Sequence, residues 1–211
     1  MTNTRNIKKL RLGVLLSGGG RTLLNLHELM NSGELPAEVA VVIASRQCKG
    51  VSRCSEAGMN VNVIPYKEMP DLETYSAAIA EMLDNANVDL VLLAGFLSMW
   101  IIPDRYAGKV LNIHPALLPS FGGKGMFGHH VHEAVVAAGC KISGCTVHFV
   151  TNEYDSGPIL IQKAVAISDS DSPEDVAAKV FDLECQAYPE AIGLIAQNRV
   201  IIDGNVARIA D

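Results

Sequence analysis

The chain has no block of lysine and arginine; Lys+Arg total 17 against 23 Asp+Glu. A net charge of −6 and a pI near 5.5 leave no basic face for a phosphate backbone, which argues against a nucleic-acid partner. No apolar stretch approaches the length that spans a bilayer, so no membrane partner is expected. The opening MTNTRNIKKLR is charged, but the apolar RLGVLL behind it stops at Ser17 and a set of glycines. That is too short for a secretory leader and implies a cytoplasmic location. The five cysteines (Cys48, Cys54, Cys140, Cys145 and Cys185) include no CxxC pair, and their number is odd. They read as reduced, mostly buried thiols, not as a disulfide framework. No linker, repeat or low-complexity segment interrupts the 211 residues, so residues 1–211 read as one domain.

What is present is apolar and alternating. Hydrophobic residues make up 49%, enough for a sizeable core. RLGVLLS, AEVAVVIAS, VNVIP, VDLVLLAG and KVLNIH are short apolar runs. Between the first four lie TLLNLHELMNSG, GVSRCSEAGM and DLETYSAAIAEMLDNA, which read as helices. Strands alternating with helices predict parallel βαβ units in a doubly wound sheet. After His114 the pattern changes. A long loop, residues 115–128, leads to the helix HHVHEAVVAAG. KISGCTVHFVTN and PILIQKAVAIS, joined by EYDSG, predict an antiparallel hairpin at the sheet's far edge. SPEDVAAKVFDLECQAYPEAIGLIAQ predicts a long helix with Ser172 as N-cap and Pro173 at its first position, kinked or broken at Pro189. RVIIDGNVARIA predicts a small hairpin turning at Asp203 and Gly204. The fold class is α/β: a doubly wound, mostly parallel seven-stranded sheet with helices on both faces and an antiparallel edge.

Several stretches can carry chemistry. In LNIHPALLP (residues 111–119), Asn112 and His114 alternate along a strand and project to one face. They stand at the strand's carboxyl end, where open α/β sheets bind ligands. Taken alone, each is equally a capping or satisfied polar residue. SGGGRT (residues 17–22) joins the first strand to the first helix. Its backbone N–H groups can hold a phosphate, or its glycines simply make a tight turn. It is not a dinucleotide fingerprint, because Leu23 stands where the third glycine belongs, and it is not a Walker loop. Asp155, ahead of Ser156, Gly157 and Pro158, is a turn residue or a fixed, partly wet carboxylate. His129, His130 and His132 open a helix, but no second ligand set converges on them, so no metal is expected. They read as capping the loop's end. Lys124 in GGKG is a solvated loop lysine or a phosphate contact.

NIHPALLPSFGGKGMFGHHVHEAV, followed by CTVHFVTNEYDSGPIL, resembles the folate-dependent glycinamide ribonucleotide formyltransferases of purine synthesis. Their superfamily shares an Asn-x-His-Pro-x-Leu-Leu-Pro core and a later Asp-x-Gly motif. The resemblance runs from about Leu12 to about Glu190. It implies the formyltransferase fold, with a Rossmann-like N-terminal half (about 11–110) for the nucleotide phosphate and a C-terminal half (about 111–211) for folate and catalysis. The implied reaction moves the formyl group of 10-formyltetrahydrofolate, the co-substrate, to the amine of phosphoribosylglycinamide. The implied partners are small molecules, with the chain a monomer or homodimer and no metal. In that reading Asn112 hydrogen-bonds the formyl oxygen, and His114, as imidazolium, stabilises the oxyanion. Asp155 holds His114 charged and relays the amine proton through water. Gly20, Arg21 and Thr22 stand where the family usually has Gly-Ser-Asn at the phosphate, and Glu184 matches a ribose contact. The folate contacts are Leu97, Ser98, Met99 and Trp100, in place of a common Met-Arg-Ile-Leu. Thr151, Asn152, Glu153 and Tyr154 join them, as do Asn112 and Asp155. Leu72 stands where the family has another arginine. Among related activities, methionyl-tRNA formyltransferase carries a further C-terminal domain and a basic surface. Formyltetrahydrofolate hydrolase carries an added N-terminal regulatory domain. A catalytically silent binding module would lack one of Asn112, His114 and Asp155, and all three are present.

Overall fold

The computed structural model describes residues 7–210. Strands β1 (Leu10–Leu16), β2 (Ala37–Ala44), β3 (Val61–Val63), β4 (Leu90–Leu93) and β5 (Val110–His114) come first. Helices α1 (Arg21–Asn31), α2 (Lys49–Glu56) and α3 (Leu72–Asn85) connect the first four. Then follow α4 (His129–Ala137), β6 (Ile142–Phe149), β7 (Ile159–Ala166) and α5 (Pro173–Ala196). A two-stranded ribbon, β8 (Val200–Asp203) and β9 (Val206–Ile209), comes last.

The seven-stranded sheet has the order β3-β2-β1-β4-β5-β6-β7. β1 to β5 run parallel, and β6 runs antiparallel to both neighbours. The chain is therefore the expected α/β doubly wound sheet with an antiparallel edge. β2 lies on one side of β1 and β4 on the other, so the winding reverses between them. That reversal opens a crevice beyond the strand ends. Alternation along the strands divides the core. Leu12, Val14 and Leu16 pack with residues of α1, α4 and α5 on one face. Leu15, Ile43, Val91 and Val110 pack with Tyr75, Ile79 and Leu83 of α3 on the other. Asn112 and His114 share the parity of Val110 and so lie on the α3 face.

Helix ends follow local chemistry. Asp71 caps α3 by accepting from the Thr74 N–H at 2.7 Å. Ser172 and Asp175 form a reciprocal capping box at α5, with Pro173 in the first turn. Pro189 does not break α5, which runs through it. Its ring removes the N–H that would bond the Cys185 carbonyl. That carbonyl instead accepts from Asn25 Nδ2 of α1 at 3.3 Å. In the ribbon, Asp203 pairs with Val206, so the turn is Gly204–Asn205, one residue later than expected. Cys54 and Cys145 are buried, whereas Cys48, Cys140 and Cys185 are half-buried, fewer fully buried thiols than expected. Among the described residues, no helix is long and apolar enough to cross a membrane.

One buried hydroxyl ties α5 to the strand ends that carry the site. Tyr188 Oη lies 3.0 Å from the Leu111 carbonyl and 3.2 Å from the Leu93 carbonyl, and its side chain is fully buried. Tyr188→Phe should leave both carbonyls without this donor and lower the unfolding free energy by about 1–3 kcal/mol. Urea denaturation measures this; a midpoint matching the parent would mean that the hydroxyl adds no net stability.

Candidate active site

The turn after β1 is held by its carbonyls. Ser17 O accepts from Arg46 Nε at 2.9 Å, Gly18 O from Gly50 N at 2.8 Å, Gly19 O from Arg53 Nη1 at 3.0 Å and Gly20 O from Leu24 N at 3.0 Å. Among the described residues, the N–H groups of Gly18 to Thr22 have no partner. With successive carbonyls tied back, these amides form a concavity of free donors, suited to an anion, at the start of α1. The turn needs glycine. Gly20 has φ 72, and a Cβ there would lie 2.9 Å from Gly50 Cα of α2. Ser17 joins this turn to the loop after β4, because its Oγ accepts from Leu97 N at 2.9 Å. Thr22 is half-buried, and Arg21 is exposed, its guanidinium carbon 3.7 Å from the centroid of the Phe181 ring. Glu184 is half-buried on α5. Burial pushes its carboxyl up to about 7 against the lowering effect of Arg21.

The second cluster forms where β5 meets the reversed β6. Asn112 pairs across the ladder with His148, and His114 with Thr146. Asn112 Nδ2 lies 3.2 Å from His148 Nε2, and His148 Nδ1 lies 2.9 Å from the Phe149 carbonyl. His148 Nδ1 donates to the Phe149 carbonyl, which leaves Nε2 to accept from Asn112. One N–H of the Asn112 amide remains for a ligand. His114 Nε2 donates to the Phe121 carbonyl at 2.8 Å, which fixes the ring, and Nδ1 faces Asp155 Oδ2 at 3.8 Å. Asp155 Oδ1 lies 3.6 Å from His148 Nε2, and Oδ2 accepts from Gly123 N at 2.8 Å. The chain leaves β5 under tight control. Thr146 Oγ1 donates to Ala116 O at 2.7 Å and accepts from Leu118 N at 3.0 Å. Asp155 itself sits at φ 50. Gly157 supports that turn by close packing, since a Cβ there would lie 1.9 Å from the Phe149 carbonyl.

Asn112, His114 and Asp155 are thus brought together as expected, and His148 joins them. The charge state of His114 differs from expectation. Burial lowers its pKa and outweighs the opposing pull of Asp155 and the Phe121 hydrogen bond. At neutral pH the imidazole is uncharged. A carboxylate 3.8 Å from Nδ1 is too distant to overcome the desolvation of a nearly fully buried ring. For Asp155, burial works to raise the pKa. The 2.8 Å bond from Gly123 N and the two neighbouring imidazole rings overcome it and hold the carboxyl below its ordinary value.

The profile of the formyl transferase family matches residues 10–192. The chain belongs to this family. It is 37% identical over 197 residues to the chloroplastic phosphoribosylglycinamide formyltransferase of Arabidopsis thaliana, covering 92% of this chain and 68% of the plant protein. It is 34% identical over 200 residues to the phosphoribosylglycinamide formyltransferase of Haemophilus influenzae, covering 93% and 92%. The crystal structure of glycinamide ribonucleotide transformylase 1 from Symbiobacterium toebii superposes with a TM-score of 0.88 at 37% identity, covering 96% of this chain and 95% of that one.

In this formyl transferase two adjoining clefts meet at the polar cluster. One is lined by Leu97, Ser98, Asn112, His114, Phe127 and Asp155 among others. The other is lined by Ser98, Met99, Trp100 and the segment 150–155. No lysine or arginine among the described residues lines either. The expected folate residues divide by role. Leu97 and Tyr154 are exposed at the mouth. Trp100 is a core residue whose Nε1 donates to Ser76 O at 3.3 Å and whose ring meets Tyr106. The Asn152 amide is spent on the backbone of Ile102, accepting from its N–H at 2.9 Å. Thr151 Oγ1 lies 3.0 Å from Ser156 Oγ, and Glu153 is exposed. Leu72 packs on the α3 core. Lys124 is exposed and lines neither cleft. His129 faces Glu133 and Glu174, His130 faces Glu133, and His132 is buried. No group of three or more metal-ligating side chains forms among the described residues.

His132 is shut in, with Nδ1 unpaired. Burial first, then the neighbouring His129 and His114, pushes its pKa from 6.5 to about 4. Across that window the unfolded chain binds more protons, so stability rises with pH and is lost on acidification, by up to ~1.4 kcal/mol per pH unit. His114 is displaced in the same direction and adds to the loss below its ordinary value. Asp155, held low, contributes stability that is present at neutral pH and lost as pH falls through its lowered pKa. Urea midpoints between pH 7 and 4 should therefore fall in the parent and fall less steeply in His132→Gln. Parallel slopes would remove His132 as a source of acid lability.

Proposed function

We propose that the chain is a phosphoribosylglycinamide formyltransferase. It moves the formyl group of 10-formyltetrahydrofolate to the amine of glycinamide ribonucleotide, giving formylglycinamide ribonucleotide and tetrahydrofolate in purine synthesis. The observation that carries the reading is the gathering of Asn112, His114 and Asp155 in one cleft, with Asn112 and Asp155 shared by the adjoining one. The amide concavity of the glycine turn opens from the same edge of the sheet. In this reading residues 1–211 act as one cytoplasmic domain on small molecules.

The second cleft suits a flat, mostly apolar group: Leu93, Met99, Trp100, Ile102 and Val150 wall it, with Asn112 and Asp155 at one end. The folate supplies an acyl carbon bonded to nitrogen. Gly20, Arg21 and Thr22 hold the nucleotide phosphate, and Glu184 its ribose. The free N–H of Asn112 donates to the formyl oxygen as negative charge builds there, and it carries no proton that can be lost at neutral pH. His114 starts uncharged, with Nε2–H given to Phe121 and Nδ1 open to a proton. It takes up the proton leaving the attacking amine, by way of water. The new imidazolium then gains the attraction of Asp155, and its charge faces the developing oxyanion. Return of the proton to the departing folate nitrogen restores His114, so the exchange balances. His148 orients Asn112 by accepting from its amide.

Assay of the purified protein with 10-formyltetrahydrofolate, glycinamide ribonucleotide and a panel of other amines tests the reading, with formyl hydrolysis as control. Preference for another amine, or hydrolysis alone, would overturn it. Asp155→Asn should fold normally and lose turnover by about 10²–10⁴-fold, the span of acid–base contributions. Turnover within about threefold of the parent would remove Asp155 from proton transfer. Activity should survive prolonged chelation, because attack by an amine needs no metal-bound hydroxide. Loss restored by zinc would contradict this.

A further inference from the structure

We infer that Phe181 is a positioning residue that holds the Arg21 guanidinium beside the phosphate-binding amides, as one rung of a two-rung junction between α1 and α5. The inference rests on the proposed nucleotide site and adds how that site orders the Arg21 side chain. Arg21 opens α1, next to the unpaired N–H groups of the glycine turn. Its guanidinium carbon lies 3.7 Å from the Phe181 ring centroid, within cation–π range. Stacking occupies the face of the guanidinium and leaves its edge donors free, the geometry that suits a phosphate. Among the described residues, Arg21 makes no ion pair or side-chain hydrogen bond. Glu184, the nearby acid on α5, forms no salt bridge with it, and burial raises its pKa to about 7.

The second rung lies one helical turn on. Asn25 follows Arg21 by four residues, and Cys185 follows Phe181 by four, so the two contacts share one seam. Asn25 Nδ2 donates to Cys185 O, the carbonyl that Pro189 leaves without a helical partner. This bond fixes the helices against each other and sets the ring under the guanidinium. Arg21 is thereby ordered before the nucleotide arrives, and less freedom is lost on binding.

The test uses the full-length protein, with steady-state KM for both substrates and the calorimetric Kd of glycinamide ribonucleotide. Phe181→Leu should raise KM and Kd for the nucleotide about three- to tenfold, in line with loss of a partly exposed cation–π contact. The kcat and the folate KM should stay near the parent values, and Phe181→Tyr should restore nucleotide binding. In an Arg21→Ser background, Phe181→Leu should add nothing. Nucleotide binding by Phe181→Leu equal to the parent would overturn the inference. So would an equal loss in the Arg21→Ser background, because Phe181 would then act through packing alone. If the parent protein neither binds nor formylates glycinamide ribonucleotide, the proposed function falls and this inference with it.

Discussion

A carboxylate kept ionised in a half-closed cleft must be surrounded by donors, because burial alone would drive it to the neutral acid. Asp155 makes that demand, and groups from distant parts of the chain meet it. Gly123 N, from the loop after β5, donates to it, while the imidazoles of His114 on β5 and His148 on β6 close around it at 3.8 and 3.6 Å. Satisfying this one charge brings the end of the parallel sheet, its reversed strand and the long loop to a common point. The same loop returns the favour through Phe121, whose carbonyl orients His114. Thr146 and Gln162 then pin residues 116–118 from β6 and β7. The antiparallel edge is therefore part of the candidate site's framework as well as a border of the sheet.

The parallel strands were legible in sequence because fully buried strands are continuous apolar runs, and period-two alternation placed Asn112 and His114 on one face. His148 was not legible. It enters the site only through the register that sets it opposite Asn112, and nothing local in CTVHFV states that pairing. Phe181 escaped for the same reason: its partner Arg21 is distant in the chain and meets it across two helices. Trp100 and Asn152 were expected at the folate, yet both are largely committed to structure, one to the α3 core and one to the Ile102 backbone. A motif window marks which loop forms a wall, but not which side chains in it are already engaged.

The charge of His114 shows where pairwise intuition fails. A nearby carboxylate does raise an imidazole pKa, but only against the cost of placing charge in a dry pocket. At 3.8 Å, without a direct hydrogen bond, the cost prevails. In the proposed reaction the ring is then free to receive a proton, when new charge nearby alters the balance.

Pro189 carries a consequence beyond its own helix. A proline within a helix is a local imperfection, and evolution often tolerates such a flaw only where it is harmless. Here the orphaned acceptor has become a socket for Asn25 on the neighbouring helix. Any residue at position 189 with its own N–H would offer Cys185 O a partner inside α5 and compete with that socket. Regularity of the single element and fidelity of the assembly thus pull in opposite directions. The chain keeps the less perfect helix and gains the more exact docking.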